Sequence, residues 1–218
     1  MKQLLKNIIS KSYILRRTFT FLINIKYTYR GTVENHGIIK IQRFVKGDNN
    51  KILVGKNTRL NGTRFRIVGN NNTIEFADNI NIGEGCSFWA EGNNIRIYIG
   101  SHSTFTQKVH VNAQEDNSSI HIGNDCMFSN TIIIRTSDSH PIYNNQGIRI
   151  NPAKSIHVGD HVWIAPNSKI MKGVTIGNGS IIGSDTIVTK DIPDNVLAVG
   201  HPAKVVKTDI RWTREAIF

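Results

Sequence analysis

Eight histidines, two cysteines and a lysine-bearing tail are the side chains of this 218-residue chain most able to do chemistry. Cys86 and Cys126 each fall four places after an aliphatic residue, Ile82 and Ile122, so both read as small core side chains rather than nucleophiles. There is no CxxC pair and no disulfide framework, which points to a reducing compartment. His/Asp clusters with metal-ligand spacing are missing as well, so no metal is expected. His121 and His157 follow the aliphatic residues Ile120 and Ile156 and are expected to point outward; His110 precedes Val111. His140 is different. It is followed by Pro141 inside RTSDSHPIYNNQGIRINPAKS (135–155), the longest stretch that interrupts an otherwise regular pattern. Long loops in compact domains are often functional. On the residues alone, His140 is either a working imidazole or an ordinary exposed loop histidine.

The regular pattern is what must position these groups. Val158, Ile164, Ile170, Ile176, Ile182 and Val188 recur every sixth residue, and each is followed four places later by a small or β-branched residue: Val162, Ser168, Val174, Ser180, Thr186 and Ile192. Neither a helix nor an alternating strand has that period. Six-residue units are the signature of a parallel β-helix, each unit forming one side of a triangular coil, and such a solenoid buries its core only by stacking. A longer repeat precedes this run. Val54, Phe76, Ile99 and Ile122 are spaced 22, 23 and 23, so each of those coils carries a short polar insertion: GNNN (69–72), EGNN (91–94), QEDNSS (114–119). Insertions at one place in successive coils should stack along one edge. About five to six coils are expected. The chain divides into a segment 1–46, a β-helix 47–193 with its loop 135–155, and a tail 194–218.

Net charge is +11, and +9 of it lies in residues 1–46, which hold ten Lys/Arg and one acid, Glu34. The solenoid itself is nearly neutral. Nucleic-acid binding therefore fits poorly, since the basic segment offers no aromatic stacking pattern beyond Tyr27 and Tyr29. Apolar residues from Leu4 to Ile25 begin with helical spacing, but Arg16 and Arg17 interrupt them, leaving nothing long enough to span a bilayer and no signal peptide. The segment is expected to cap the open end of the solenoid. A peripheral attraction to an anionic membrane surface is compatible with that. The expected location is cytoplasmic, or peripheral at the inner face of the membrane.

The hexads, the His140-Pro141 loop and VWIAPNSKIMKGVTIGNGSIIGSDTIVTKDIPDNVLAVGHPAKVVK (162–207) together resemble the hexapeptide-repeat acetyltransferases. Within them the galactoside/maltose acetyltransferases and the bacterial capsule polysaccharide O-acetyltransferases are most alike. The likeness is strong over 119–207, reaches only the repeats over 50–118, and is absent over 1–45. It implies a left-handed parallel β-helix, an exception to the right-handed crossover rule. It also implies a homotrimer with sites between subunits, acetyl-CoA as co-substrate and a carbohydrate acceptor. The loop histidine, His140 here, would be the general base: an imidazole with a pKa near 6.5 can take the proton of a sugar hydroxyl as it attacks a thioester. Carried over residue by residue, coenzyme A would meet Trp163, Pro166, Ser184, Thr189 and Lys190, with Lys204 and Lys207 near its phosphates. His110 and Asp116 are acceptor candidates, each equally readable as a solvated surface residue. Trp163 would line the thioester channel or else pack between subunits. Pro166 departs from the pattern, for it has no N–H to offer an oxyanion, which leaves the Trp163 indole or a neighbouring amide. The expected function is O-acetylation of a sugar in a bacterial surface polysaccharide. N-acetylation of an amino sugar nucleotide and a non-catalytic scaffold are the alternatives.

Overall fold

Within each hexad a short strand alternates sides, and the turn that follows restores the phase, so every sixth residue can face the same interior. A computed structural model describes residues 32–35 and 37–217. These form twenty-one strands and no helix, so the expected parallel β-helix is what the chain adopts. The helix-like spacing over residues 4–25 lies outside the described residues. The first side of the prism stacks seven parallel strands: Thr32–Asn35, Lys51–Val54, Thr73–Phe76, Arg96–Ile99, Ser119–Ile122, Ile156–Val158 and Thr175–Ile176. That is one ladder strand more than five to six coils would supply. The extra coil comes from residues 32–46, where Ile38–Lys46 lies parallel on Arg59–Val68. A register shift between Lys40 and Ile41 breaks the hexad phase there and hides the coil from a periodicity search.

The other two sides form one continuous fourteen-stranded sheet. Its second side runs through Asn81–Ile82, Thr104–Gln107, Met127–Asn130, Trp163–Ile164, Ile181–Ile182 and Leu197–Val199. Its third side runs through Ser87–Glu91, His110–Gln114, Ile133–Arg135, Lys169–Ile170 and Ile187–Val188. The ten-residue strand Arg59–Val68 bends across both, turning at Gly62 with φ 66°.

Inside, the predicted hexad residues Phe76, Ile82, Phe88, Ile99, Phe105, Val111, Ile122, Phe128 and Ile134 are all buried, as are Cys86 and Cys126. Burial pushes the Cys126 thiol up to about 12 and raises that of Cys86, so both stay protonated. The interior changes along its length. Rung-to-rung bonds span 22 or 23 residues before the loop and 18 or 16 after it. The longer coils enclose the phenylalanines, with Phe105 stacked on Phe128 at 4.3 Å and Phe76 edge-on to Phe88 at 4.9 Å. The shorter coils close around Ile and Val with small side chains such as Ser168, Ser180, Thr186 and Ala198, and hold no phenylalanine.

The corners explain the polar residues. After the first side, Asn57, Asn79, His102, Asp125, His161 and Asn195 all have φ between 53° and 63°. Only Gly and short polar residues enter that region cheaply, which accounts for the recurrent Asn and Asp. One residue earlier, side-chain oxygens cap the amide of the coil below: Asp160 accepts from the Asn124 N–H at 2.6 Å, Asn178 from Asp160 at 2.8 Å, and Asp194 from Asn178 at 2.7 Å. The polar insertions stack on one edge as expected, Asn70 bonding Asn93 and Asn93 bonding Asp116.

Gly83 sits where a Cβ would run into the Thr106 carbonyl of the next coil. Gly83→Ala is expected to cost about 3 kcal/mol, the upper end of the overpacking range, because that obstacle is backbone and cannot rotate away. Urea unfolding followed by circular dichroism checks this.

Candidate active site

The loop leaves the solenoid after Arg135 and is pinned where it returns, the Lys154 N–H donating to the Thr136 carbonyl at 2.9 Å. Between these points Ile142 to Ile150 form a small hairpin, closed by an Asn144 turn. Its base is held by charge. Glu115 accepts from Arg149 and from the Ser137 hydroxyl, both at 2.7 Å. Asp138 accepts from Lys172 at 2.6 Å and from Asn151 at 2.9 Å. Asn151 also donates to the main-chain carbonyl of His140 at 2.9 Å and accepts from the Ile142 amide at 2.7 Å. The backbone of His140 is therefore fixed, while its imidazole is exposed and has no hydrogen-bond partner among the described residues. Asp138, the nearest acid in sequence, is engaged by Lys172 and Asn151 and has its pKa lowered by them in that order.

The Arg149 hydrogen bond holds the Glu115 carboxyl at about 2. Its folded value lies below the unfolded one, so the clamp's contribution is complete above the ordinary value of 4.5 and is lost as pH falls toward about 2.

Trp163 lies on the second side, half-buried, and its indole Nε1–H is buried without a hydrogen-bond partner among the described residues. An unmatched donor in such a place costs about 1–3 kcal/mol, so it suits a group that gains a partner when something binds. The amides beside Pro166 are not free to substitute: Ala165 donates to Ile182 at 2.8 Å and Asn167 to Asn130 at 3.0 Å. Pro166 and Ser184 occupy the same corner in successive coils, the Pro166 carbonyl accepting from the Asp185 N–H. Lys204 and Lys207 are exposed on Lys204–Lys207, which turns back antiparallel along Leu197–Val199 of the second side. Thr189 and Lys190 are separated from these by the third side; they lie exposed at the corner that also carries the loop.

Of the acceptor candidates, His110 projects from the third side, bonded through Nδ1 to the Ser87 hydroxyl at 2.8 Å and edge-on to Trp89 at 4.8 Å. Burial first, then Arg135 and Arg64, lowers its pKa. Asp116 ends the insertion ladder, both its oxygens taken by Asn93. His121 and His157 do point outward, stacking with Tyr98 up the first side at 4.8 and 4.9 Å.

Two features had no periodic signal to reveal them. One is the Glu115–Arg149 clamp. The other is a strap formed by the tail, which runs back down the solenoid. The Ile210 amide donates to the Asn195 carbonyl, Trp212 stacks on His161 at 3.9 Å, and Arg214 bonds Asp125, Thr104 and the carbonyls of His102 and Cys126. Trp212 and His161 also exchange hydrogen bonds, each ring to the other's carbonyl, which brings the Trp212 ring to 5.9 Å from Trp163.

The solenoid thus presents an exposed, backbone-fixed imidazole on a projecting loop and, on its second side, an indole donor unpartnered among the described residues. Residues 155–190 match the bacterial transferase hexapeptide (six repeats) family. A polysialic acid O-acetyltransferase of Neisseria meningitidis is 36% identical over 177 residues, covering 80% of each chain. The crystal structure of the polysialic acid O-acetyltransferase OatWY superposes with a TM-score of 0.71 at 31% identity, over 88% of this chain and 87% of that one. A polysialic acid O-acetyltransferase of Escherichia coli is 37% identical over 120 residues, which are 55% of this chain and 38% of that longer protein. The chain belongs to the hexapeptide-repeat O-acetyltransferases, enzymes built on a left-handed β-helix.

Glu115→Ala should leave Arg149 bonded to Asn151 alone and loosen the hairpin without disturbing the coils. Trypsin is expected to cut after Arg149 at least about tenfold faster than in the parent, as mass spectrometry of the fragments would record, with the β-sheet circular dichroism unchanged.

Proposed function

We propose that this enzyme transfers the acetyl group of acetyl-CoA to a hydroxyl of an acidic bacterial surface polysaccharide, with His140 as general base. The observation that carries this reading is the His140 imidazole itself, exposed and without a hydrogen-bond partner among the described residues while Asn151 holds its backbone. The named relatives support the acceptor class, since two of them act on polysialic acid, a carboxylate-bearing polymer. Acetyl-CoA supplies the acetyl group as a thioester. His140 would take the hydroxyl proton as the new C–O bond forms, and give it to the departing sulfur as the C–S bond breaks, leaving ester and free thiol. The Trp163 Nε1–H is suited to receive the charge that builds on the carbonyl oxygen. Lys204 and Lys207 suit the nucleotide phosphates by charge and exposure.

The loop and Trp163 occupy different sides of one prism. A site that uses both would therefore draw them from neighbouring subunits, which supports a homotrimer. Ile142, Tyr143, Ile148 and Ile150, each more than half exposed on the hairpin, suit burial against a second copy. The +9 of residues 1–46 supports a peripheral association with an anionic membrane surface on the cytoplasmic side.

His140→Ala is expected to lower turnover by about 10²–10⁴-fold in a thiol-release assay with the fold intact, the usual size of a general-base contribution. Near-normal turnover would remove His140 from the reaction. Trp163→Phe, which keeps the ring and deletes the donor, should reduce kcat more than it raises KM for either substrate. The double change Lys204→Glu, Lys207→Glu should raise KM for acetyl-CoA well above its effect on the acceptor; equal constants would show that the cofactor does not reach this strand.

A further inference from the structure

The third side carries a column that neither the loop chemistry nor the core requires. Phe44, Arg66, Trp89, Asn112 and Arg135 stand in register on five successive strands; Asn112 is buried at 6% exposure, while the other four are at least partly exposed. At about 4.8 Å per strand the column is about 19 Å long. Its order is deliberate in physical terms. The Arg66 guanidinium lies between two rings, 5.0 Å from the Phe44 centroid and 5.8 Å from that of Trp89. Glu91 holds its Nε–H at 2.5 Å and so fixes the fork, while its terminal nitrogens make no hydrogen bond among the described residues. Arg64, two residues earlier on the same strand, is exposed beside it. Phe44 stays 51% exposed, an uncovered ring at the far end. At the near end Arg135 donates to the Ser137 carbonyl and the Ser139 hydroxyl, at the root of the loop that bears His140. Among the described residues, the guanidinium groups of Arg64, Arg66 and Arg135 face Glu91 at Arg66 and Asp138 near Arg135, so the track keeps an excess of positive charge.

We propose that this column is an extended subsite for an anionic polysaccharide, which it leads toward the loop. The inference rests on the acceptor class given above and extends it from a sugar to a chain. Flat rings flanking a fixed guanidinium can take a sugar's apolar face and its carboxylate at once, and an arginine fork suits a carboxylate better than an ammonium does. Arg66 and Arg135 are three strands apart, about 14 Å. One monosaccharide cannot reach both, whereas several linked residues can. The subsite therefore selects for chain length.

End-labelled polysialic acid of graded length, with uncharged dextran as control, tests this by fluorescence anisotropy on the full chain and by acetyl transfer to the same oligomers. For the parent, affinity should rise with length and fall as salt shortens the screening distance; dextran should not bind. Arg64→Ala with Arg66→Ala, both on the surface and so tolerated by the fold, should weaken binding of long chains about tenfold and lower the long-to-short ratio of kcat/KM by a similar factor. Arg66→Lys keeps the charge but not the planar stack, and should recover only part of that loss. Long-chain affinity equal to the parent's in the double variant, or an unchanged long-to-short ratio, overturns the subsite while leaving the acetyl-transfer reading intact. Length-dependent binding that the double variant loses, without acetylation of any oligomer, keeps the subsite and overturns the acceptor reading instead.

Discussion

The parallel strands of each coil pair only with strands of the coils above and below. A parallel strand cannot satisfy its own N–H and C=O groups, and no helix among the described residues shares the load. The whole structure therefore depends on corners that return the chain to the same place at every turn. The left-handed positions at Asn79, Asp125 and His161, and the capping of one coil's amide by the Asn or Asp of the next, do this work. A displaced corner would misplace every strand that follows. Glycine at position 83 is part of the same demand, since a neighbouring carbonyl occupies the space a side chain would need.

The site is built from interruptions of that regularity. Coils change from 22 or 23 residues to 18 at the level where the loop emerges. The loop is then tied down from two different coils, Glu115 holding Arg149 and Lys172 holding Asp138 of the loop itself. This arrangement fixes the backbone of His140 and leaves its ring uncommitted. Burial and nearby arginines, meanwhile, lower the pKa of the third-side histidine, His110. Two imidazoles thus meet different surroundings, that of His140 exposed and without a hydrogen-bond partner among the described residues, and that of His110 bonded to the Ser87 hydroxyl.

Much of this was legible from residue order because a side chain's direction is set by the hexad phase. Val158 through Val188 had to be inside, His121 and His157 outside, and the polar insertions together on one edge. The phase carries no information where a bulge resets it, and so the coil formed by residues 32–46 was concealed among basic residues. It is equally silent on contacts that cross coils. Asp116 reads as a free acid beside a sugar site, yet its oxygens complete the Asn93 ladder, while its neighbour Glu115 reaches the loop. Trp212 and Arg214 have no period at all, and their partners lie 51 to 112 residues away in sequence.

That last separation bears on how the molecule comes apart. In a stack coupled only to nearest neighbours, terminal coils fray first and the loss travels inward one coil at a time. Arg214 is anchored to Thr104 and Asp125, while Ile210, four residues before it, is bonded to Asn195 of the final turn. The tail thus links the last coil to the middle of the prism directly, as a drawstring links the mouth of a bag to its side. Peeling the C-terminal coils would require breaking contacts several coils away at the same moment. A quasi-one-dimensional array gains, at one end, the all-or-none character of a globular domain.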